Sequence, residues 1–312
     1  SLKIIIPHLE KRLGKKIFFA KEDLMESNEI ENKIKKLNLG DVLLVENIRF
    51  YKQEEQNEVS FSKKLASFGD IYINESFASS HRAHSSVTGI ATFLPSFPGK
   101  LFQHELKNLN YIIKNLKTAP SIAVLGGSKI STKIEIIENL SRKFNKLLIG
   151  GAMANTFLSA EGYKIGKSLN EPDMISKAKL ILKKFKDKII IPQDVIVVTS
   201  EENEQNEAVD VKNISENHII YDIGPKTRKD FYNQILKHEK LLWNGPLGFF
   251  EKKPFDNGTN YVSSIVKNHR NKSFFSIAGG GDTISAMKNS GNIEYFSFLS
   301  TAGGAFLEFI EG

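Results

Sequence analysis

Five stretches in the second half of the chain run from an apolar, β-rich segment straight into glycine, and no other feature constrains the fold as tightly. Gly126-Gly127-Ser128-Lys129 follows Ile122 to Leu125, Gly150-Gly151-Ala152 follows Leu147 to Ile149, and Gly245-Pro246-Leu247-Gly248 follows Leu241 to Trp243. Gly279-Gly280-Gly281-Asp282-Thr283 follows Phe274 to Ile277, and Thr301-Ala302-Gly303-Gly304 follows Phe296 to Leu299. Helix-like stretches come after these ends, which is the pattern of a parallel sheet with crossover helices. In open α/β sheets ligands bind outside the carboxyl ends of the strands. Glycine there lets backbone N–H groups approach a phosphate, and the next helix adds the positive end of its dipole. One Gly-Gly pair after a strand is ordinarily a turn. Five on one half-chain point to a nucleotide or polyphosphate site.

Further strands are read at Ile189 to Ile191, Val195 to Val198 and His218 to Tyr221, enough with the others for a complete parallel sheet. The first third supplies strands at Ile17 to Ala20, Val42 to Val45 and Ile71 to Asn74, and helices at Ile4 to Leu13 and Phe61 to Phe68, about half a domain. Between the two parts, Leu94-Pro95-Ser96-Phe97-Pro98-Gly99 breaks the chain before an amphipathic helix carrying Leu101, Leu106, Leu109, Ile112, Ile113 and Leu116. The reading is therefore α/β, with one domain over 1–98, an interdomain helix over 99–117 and a second domain over 118–312. Residues 201–207 form an acidic polar patch, read as a solvated surface loop.

A chain of 312 residues is long enough for two cores. Zero cysteines exclude disulfides, thiolate chemistry and iron–sulfur clusters, and fit a reducing compartment. No apolar run approaches the roughly 20 residues that span a bilayer, and no signal peptide opens the chain, so a cytoplasmic protein without membrane partners is expected. The net charge of +7 is dispersed, +4 over residues 1–117 and +3 over the rest, with no basic block. That distribution suits a small anionic substrate or plain solubility rather than nucleic acid.

Other motifs fail informatively. Gly162-Tyr163-Lys164-Ile165-Gly166-Lys167-Ser168 has three residues between its glycines where a P-loop needs four. No G-x-G-x-x-G opens a helix with an acidic residue about 20 positions on, and there is no G-x-S-x-G elbow. His81 and His84 lack a third ligand and read as a loop or surface pair. Lys129 and Lys133 lie four apart after a glycine turn. If the chain is helical from Ser131, both ammonium groups can meet one phosphate chain; the alternative is two exposed lysines. Asp282 stands where a carboxylate can hold hydrated Mg²⁺ against phosphate oxygens, or cap a helix. Arg49 and Arg82 each follow a strand of the first part, and arginine's planar fork suits carboxylate or phosphate.

At these residues the sequence resembles the phosphoglycerate kinase family. The segments that carry the resemblance are VENIRF (45–50), HRAHSS (81–86), LGGSKISTKI (125–134), IGGAMANTFL (149–158), GKSL (166–169), LLWNGPLGFFE (241–251), SIAGGGDT (276–283) and STAGGAFLEFIEG (300–312). The resemblance implies two Rossmann-like domains with parallel sheets flanked by helices, the first incomplete here, closing by hinge bending over a cleft. It implies reversible phosphoryl transfer between 1,3-bisphosphoglycerate and Mg·ADP, giving 3-phosphoglycerate and ATP in glycolysis, by a monomer acting on small molecules only. Arg49 and Arg82 would bind 3-phosphoglycerate. Lys129 and Lys133 would contact nucleotide phosphates and the transferring group, and Gly303 and Gly304 would donate backbone N–H groups to it. Gly150, Gly151, Asn244 and Pro246 would line the nucleoside pocket, Glu251 would take the ribose, and Gly279, Gly280, Gly281, Asp282 and Thr283 would serve the metal–nucleotide.

The family pattern also includes two earlier segments, like R-x-D-x-N-x-P and S-H-x-G-R-P, with an arginine between them, and a tail returning to the first domain. Their absence predicts a fragment that lacks most of its parent's activity. Glu75 and Ala78 depart from the usual N-D-A-F-G, and Ala302 replaces a usual glycine, which would be harmless if its φ is negative. These departures motivate the alternative of a non-catalytic nucleotide-binding relative of the same fold.

Overall fold

Ile122, Ala123, Val124 and Leu125 are wholly buried, as are Leu147, Leu148, Leu241, Leu242 and Trp243. Short apolar runs covered on both faces belong at the centre of a parallel sheet, where each fully buried Leu or Ile contributes ~1.5–3 kcal/mol. The computed structural model describes residues 1–25, 28–116, 118–200, 205–288 and 290–311, and divides into two units, Ser1–His104 and Glu105–Gly312.

The larger unit contains a six-stranded sheet. In chain order its strands, numbered with all others in the molecule, are β5 (Ser121–Leu125), β6 (Lys146–Ile149), β7 (Ile189–Ile190), β11 (Lys240–Asn244), β12 (Phe275–Gly279) and β13 (Phe298–Ser300). Their spatial order is β13-β12-β11-β5-β6-β7, with every pairing parallel. The chain moves outward from β5 to β7 and then resumes on the other side at β11. The topological switch point therefore lies between β5 and β11, where a ligand crevice is expected. Trp243 anchors the core among Ile122, Leu148, Phe231 and Ala278, and its indole N–H donates to Gly245 O at 2.8 Å.

The strands read at Val195 to Val198 and His218 to Tyr221 do not join this sheet. As β8 (Asp194–Val198) and β10 (Ile219–Ile223) they pair antiparallel, with β9 (Asn206–Asp210) on the other side of β8. So the acidic patch is not simply a loop: its residues 206 and 207 open β9, while 201–204 lie outside the described residues. A fully apolar run such as Val195 to Val198 is buried on both faces in either setting, which is why its direction of pairing was not readable.

The smaller unit has two separate parallel pairs, β1 (Ile17–Ala20) with β2 (Val42–Val45) and β3 (Tyr72–Asn74) with β4 (Ser96–Pro98). Its core gathers Ala20, Leu24, Ile30 and Phe61. The Pro/Gly break at 94–99 thus contains a short strand, ended by Pro98, before the helix Lys100–Asn115. Glu75 Oε1 accepts from Leu101 N at 2.9 Å, so the departure at this position caps that helix. Among the described residues no helix is long and apolar enough to cross a membrane.

Candidate active site

At the switch point three glycine turns lie against one another. Gly126 N donates to Asn244 O at 2.9 Å, Gly127 N to Pro246 O at 3.0 Å and Gly151 N to Leu247 O at 2.9 Å. A Cβ on Gly126 would stand 1.9 Å from Pro246 O, and one on Gly151, whose φ is +67°, 2.5 Å from Gly127 N. Glycine is required here by turn packing on turn, in addition to any ligand. Gly281 and Gly303 differ: a Cβ on either would meet nothing within 4 Å, and they open the helices Gly281–Lys288 and Gly303–Glu311. The first N–H groups of a helix have no partner within it, so these two ends are candidates to meet an anion.

The two lysines do not share a helix face. The helix begins at Ile134, with Lys133 at its N-cap and Lys129 exposed in the turn before it. Ser131, whose N and Oγ both donate to Glu171, and a turn bond from Lys133 N to Ile130 O precede the helix. Lys133 Nζ instead turns inward, donating to Gly126 O at 2.7 Å and to Asn244 Oδ1 at 2.8 Å. Asn244 Nδ2 donates in turn to Gly279 O at 2.8 Å, so one polar chain joins the ends of β5, β11 and β12. Burial pulls the Lys133 amine down to about 8, opposed by the charge of Asp282. Thr283, 1% exposed, has its hydroxyl engaged on both sides: it accepts from Gly245 N and donates to Gly279 O, each at 2.7 Å.

These turns lead into a cavity of about 540 Å³. Gly127, Ser128, Gly151, Ala152, Pro246 and the exposed Asp282 are among its lining, with Gly127 packed directly on Gly151 and Pro246. Leu169, Tyr221, Phe249 and Glu251 complete it, with Phe249 N donating to Tyr221 O at 2.7 Å. Of the residues singled out in the sequence, Gly151, Pro246, Glu251 and Asp282 line this cavity. Lys129, Lys133, Gly150, Asn244, Gly279, Gly280, Gly281, Thr283, Gly303 and Gly304 are not in its lining, and Asn244 and Thr283 are buried in the sheet ends.

Sequence reasoning missed the wall made by the antiparallel sheet. The rejected P-loop stretch lies on it: Gly166, φ +58°, leaves 2.2 Å between a would-be Cβ and His218 O, and Ser168 Oγ accepts from Ile220 N at 2.8 Å. Lys167 and Leu169 thereby enter the lining. The positive-φ glycine before Lys167 was the readable signal. Ala302 is fully buried, and Asn57 is the non-glycine residue with positive φ among the described residues, so the methyl of Ala302 imposes no left-handed strain.

In the smaller unit Arg49 lies on the short turn Ile48–Phe50 after β2, where Asn47 Oδ1 accepts Arg49 N at 3.1 Å, and its side chain is exposed. Arg82 is also exposed. Its loop is held by Glu54, 2% exposed, which accepts from Ser86 N at 3.0 Å and Ser86 Oγ at 2.6 Å. His84 is therefore no surface histidine: it is buried with Nδ1 3.7 Å from Glu54 Oε1. Among the described residues no three His, Cys, Asp or Glu side chains gather as a metal site.

A parallel sheet with its switch point at glycine turns, a partly buried lysine behind them, and a cavity lined by the exposed carboxylates Glu251 and Asp282 fit the class of nucleotide-dependent phosphotransferases. The comparison with known proteins narrows this. The family model described as phosphoglycerate kinase matches residues 1–312. The phosphoglycerate kinase of Rhizobium meliloti (strain 1021) is 42% identical over 317 residues, covering 100% of this chain and 79% of the relative. That of Orientia tsutsugamushi (strain Ikeda) is 42% identical over 321 residues, covering 100% and 78%. The solved phosphoglycerate kinase of Coxiella burnetii superposes with a TM-score of 0.86 at 35% identity, covering 100% of this chain and 78% of that one. The Pyrococcus horikoshii OT3 enzyme gives 0.87 at 28%, covering 100% and 79%. The chain belongs to the phosphoglycerate kinase family, whose enzymes transfer a phosphoryl group between 1,3-bisphosphoglycerate and ADP in glycolysis. The non-catalytic alternative is not favoured.

Proposed function

We propose that the unit Glu105–Gly312 binds Mg·ADP or Mg·ATP in the 540 Å³ cavity, and that Ser1–His104 holds the glycerate through Arg49 and Arg82. The observation that carries the nucleotide half is the cavity at the switch point between β5 and β11, bounded by stacked glycine turns. Glu251 takes the ribose hydroxyls, and Gly151, Pro246 and Leu247 pack on the nucleoside. The N–H group at Ser128 faces the phosphate end.

Asp282 fits a hydrated Mg²⁺: it is exposed, and a magnesium ion bound to nucleotide phosphates needs only one or two protein carboxylates. When bound, that ion neutralises phosphate charge. The chain's own residues position and stabilise. Lys133 rests on Gly126 O and Asn244 Oδ1 and is poised to exchange those acceptors for phosphate oxygens, which restores its full charge. A β-phosphate oxygen of ADP attacks the acyl phosphate, the carboxylate oxygen of 3-phosphoglycerate leaves with the bonding pair, and no covalent enzyme intermediate is needed. The N-terminus at Gly303 and Gly304 donates N–H groups to the phosphoryl oxygens in flight. Lys129, exposed on the same turn, adds charge from the solvent side. The protein acts as a cytoplasmic monomer on these small molecules.

Calorimetric titration of the chain with Mg·ADP tests the nucleotide half. Saturable one-to-one binding that is lost without Mg²⁺ supports the reading. A folded chain that takes up no Mg·ADP overturns it.

A further inference from the structure

Asp222 closes β10 with 2% exposure and belongs to the cavity lining, yet its carboxylate is spent inside the protein. Oδ2 accepts from Arg228 Nη2 at 2.8 Å and from Gly258 N at 2.6 Å, and Oδ1 accepts from Ile223 N at 2.8 Å. Arg228, on the helix Pro225–Leu236, also donates Nε to Ile223 O at 3.0 Å. One carboxylate thus ties together a strand end, a helix side chain and the start of the helix Asn257–Ser263.

The turn that carries the cavity wall rests on the same oxygen atoms. A Cβ on Gly248 would stand 2.3 Å from Asp222 Oδ1, so the Gly248 backbone lies directly against the carboxylate. From that contact the chain passes through Phe249, bonded to Tyr221 O, and Phe250 to Glu251, all three in the lining. Burying this charge is costly, and an isolated buried ion pair gains little over an apolar packing of the same volume. At this junction the pair joins β10, the helix Pro225–Leu236 and Gly258 through four hydrogen bonds.

We propose that the Asp222–Arg228 pair is a positioning device for the nucleoside side of the site, setting where Gly248–Glu251 stand without touching the ligand through its charge. The proposal rests on the nucleotide reading above. It separates the two ends of the ligand: Lys133, bonded to Gly126 O and Asn244 Oδ1, and the exposed Asp282 stand at the phosphate end and, among the described residues, make no hydrogen bond to the pair or to residues 248–251. Removing the pair therefore impairs recognition of the nucleoside and leaves the phosphates alone.

The test is calorimetry with two probes, Mg·ADP and Mg·pyrophosphate, on the chain and on Asp222→Asn. The expected result is at least a tenfold loss of affinity for Mg·ADP with the affinity for Mg·pyrophosphate within twofold. Equal losses on both probes mean a general structural role, and an unchanged Mg·ADP affinity means no role; either overturns the proposal. Arg228→Lys and Arg228→Met decide it independently should Asp222→Asn fail to fold. Methionine, which removes both donors, reproduces the selective loss, and lysine, which restores the charge but not the two-point fork, recovers part of it. A methionine variant that binds Mg·ADP as the unaltered chain does, or that loses both probes equally, overturns the proposal. If the unaltered chain binds neither probe, the nucleotide reading falls first and takes this one with it.

Discussion

In Glu105–Gly312 the candidate ligand groups hang from the ends of one six-stranded sheet, whereas in Ser1–His104 they follow two separate two-stranded pairs. The first arrangement is over-determined. Gly126, Asn244, Gly279, Lys133 and Thr283 are joined by hydrogen bonds of 2.7 to 2.9 Å before any ligand arrives. The second leaves Arg49 and Arg82 exposed, each on a short turn held from behind by a neighbour such as Asn47 or Glu54. Electrostatic stabilisation of a transferring phosphoryl is strongest from groups fixed in advance. Exposed arginines suit a substrate that is gathered from solution.

The comparison is broken most directly at its rigid end. Gly126→Ala sets a methyl group 1.9 Å from Pro246 O, a backbone atom that cannot swing aside. We expect a loss of about 1–3 kcal/mol in urea unfolding, as for overpacked cores, together with loss of Mg·ADP binding. Gly303→Ala, with open space around it, should stay within about 0.5 kcal/mol of the parent. Equal destabilisation by the two would mean that the stacked turns are not the constraint.

Lys133 sharpens the same point through pH. Burial holds its amine near 8 against an ordinary 10.5, so the ammonium is lost as pH rises through about 8. Mg·ADP affinity should fall severalfold between pH 7.5 and about 9.5 as that charge disappears. Stability moves the other way: between about 8 and 10.5 the unfolded chain binds the proton that the folded chain has released, so unfolding free energy rises with pH from this group. Lys133→Met should remove both trends. A pH profile of binding that persists in Lys133→Met would assign it to another group.

These contrasts also mark what the sequence could disclose. Ile17–Ala20 and Val42–Val45 are strands at the residues read as such, because short β-branched and aromatic runs bounded by polar turns have one obvious conformation. The glycine-ended strands were legible for the same reason, and with them the switch point and the cavity beside it. The antiparallel sheet was not, since Val195 to Val198 and the run from Ile219 are apolar in the same way as parallel core strands and differ only in their partners. The inward turn of Lys133 was hidden too. Its acceptor Asn244 lies 111 positions away, and spacing along the chain carries no trace of that meeting. Lys167 and Phe249 were missed because they are held at the lining by bonds to His218 and Tyr221, a run read as part of the parallel sheet.

Asp282→Ala should have a smaller effect than either change at the turn. The side chain is exposed, so stability stays within about 0.5 kcal/mol, while Mg·ADP affinity falls roughly tenfold, the effect of about 1.4 kcal/mol. The loss should vanish when ADP is titrated without Mg²⁺. Equal weakening with and without the ion would remove the carboxylate from any metal role.

The smallest expected effect on nucleotide binding belongs to Arg49→Ala. The guanidinium is exposed, and the cap on its turn uses the Arg49 backbone N–H and Asn47, both of which survive the substitution. Stability should therefore change by no more than about 0.5 kcal/mol, and Mg·ADP affinity should not change measurably. Affinity for 3-phosphoglycerate should fall, because alanine offers the anion neither charge nor donors. Lysine at the same position should recover part of that loss, since it restores the charge but not the planar fork. If Arg49→Ala weakened Mg·ADP as much as Asp282→Ala does, the assignment of glycerate to one unit and nucleotide to the other would be wrong, and the contrast between the rigid and the exposed site would lose its functional meaning.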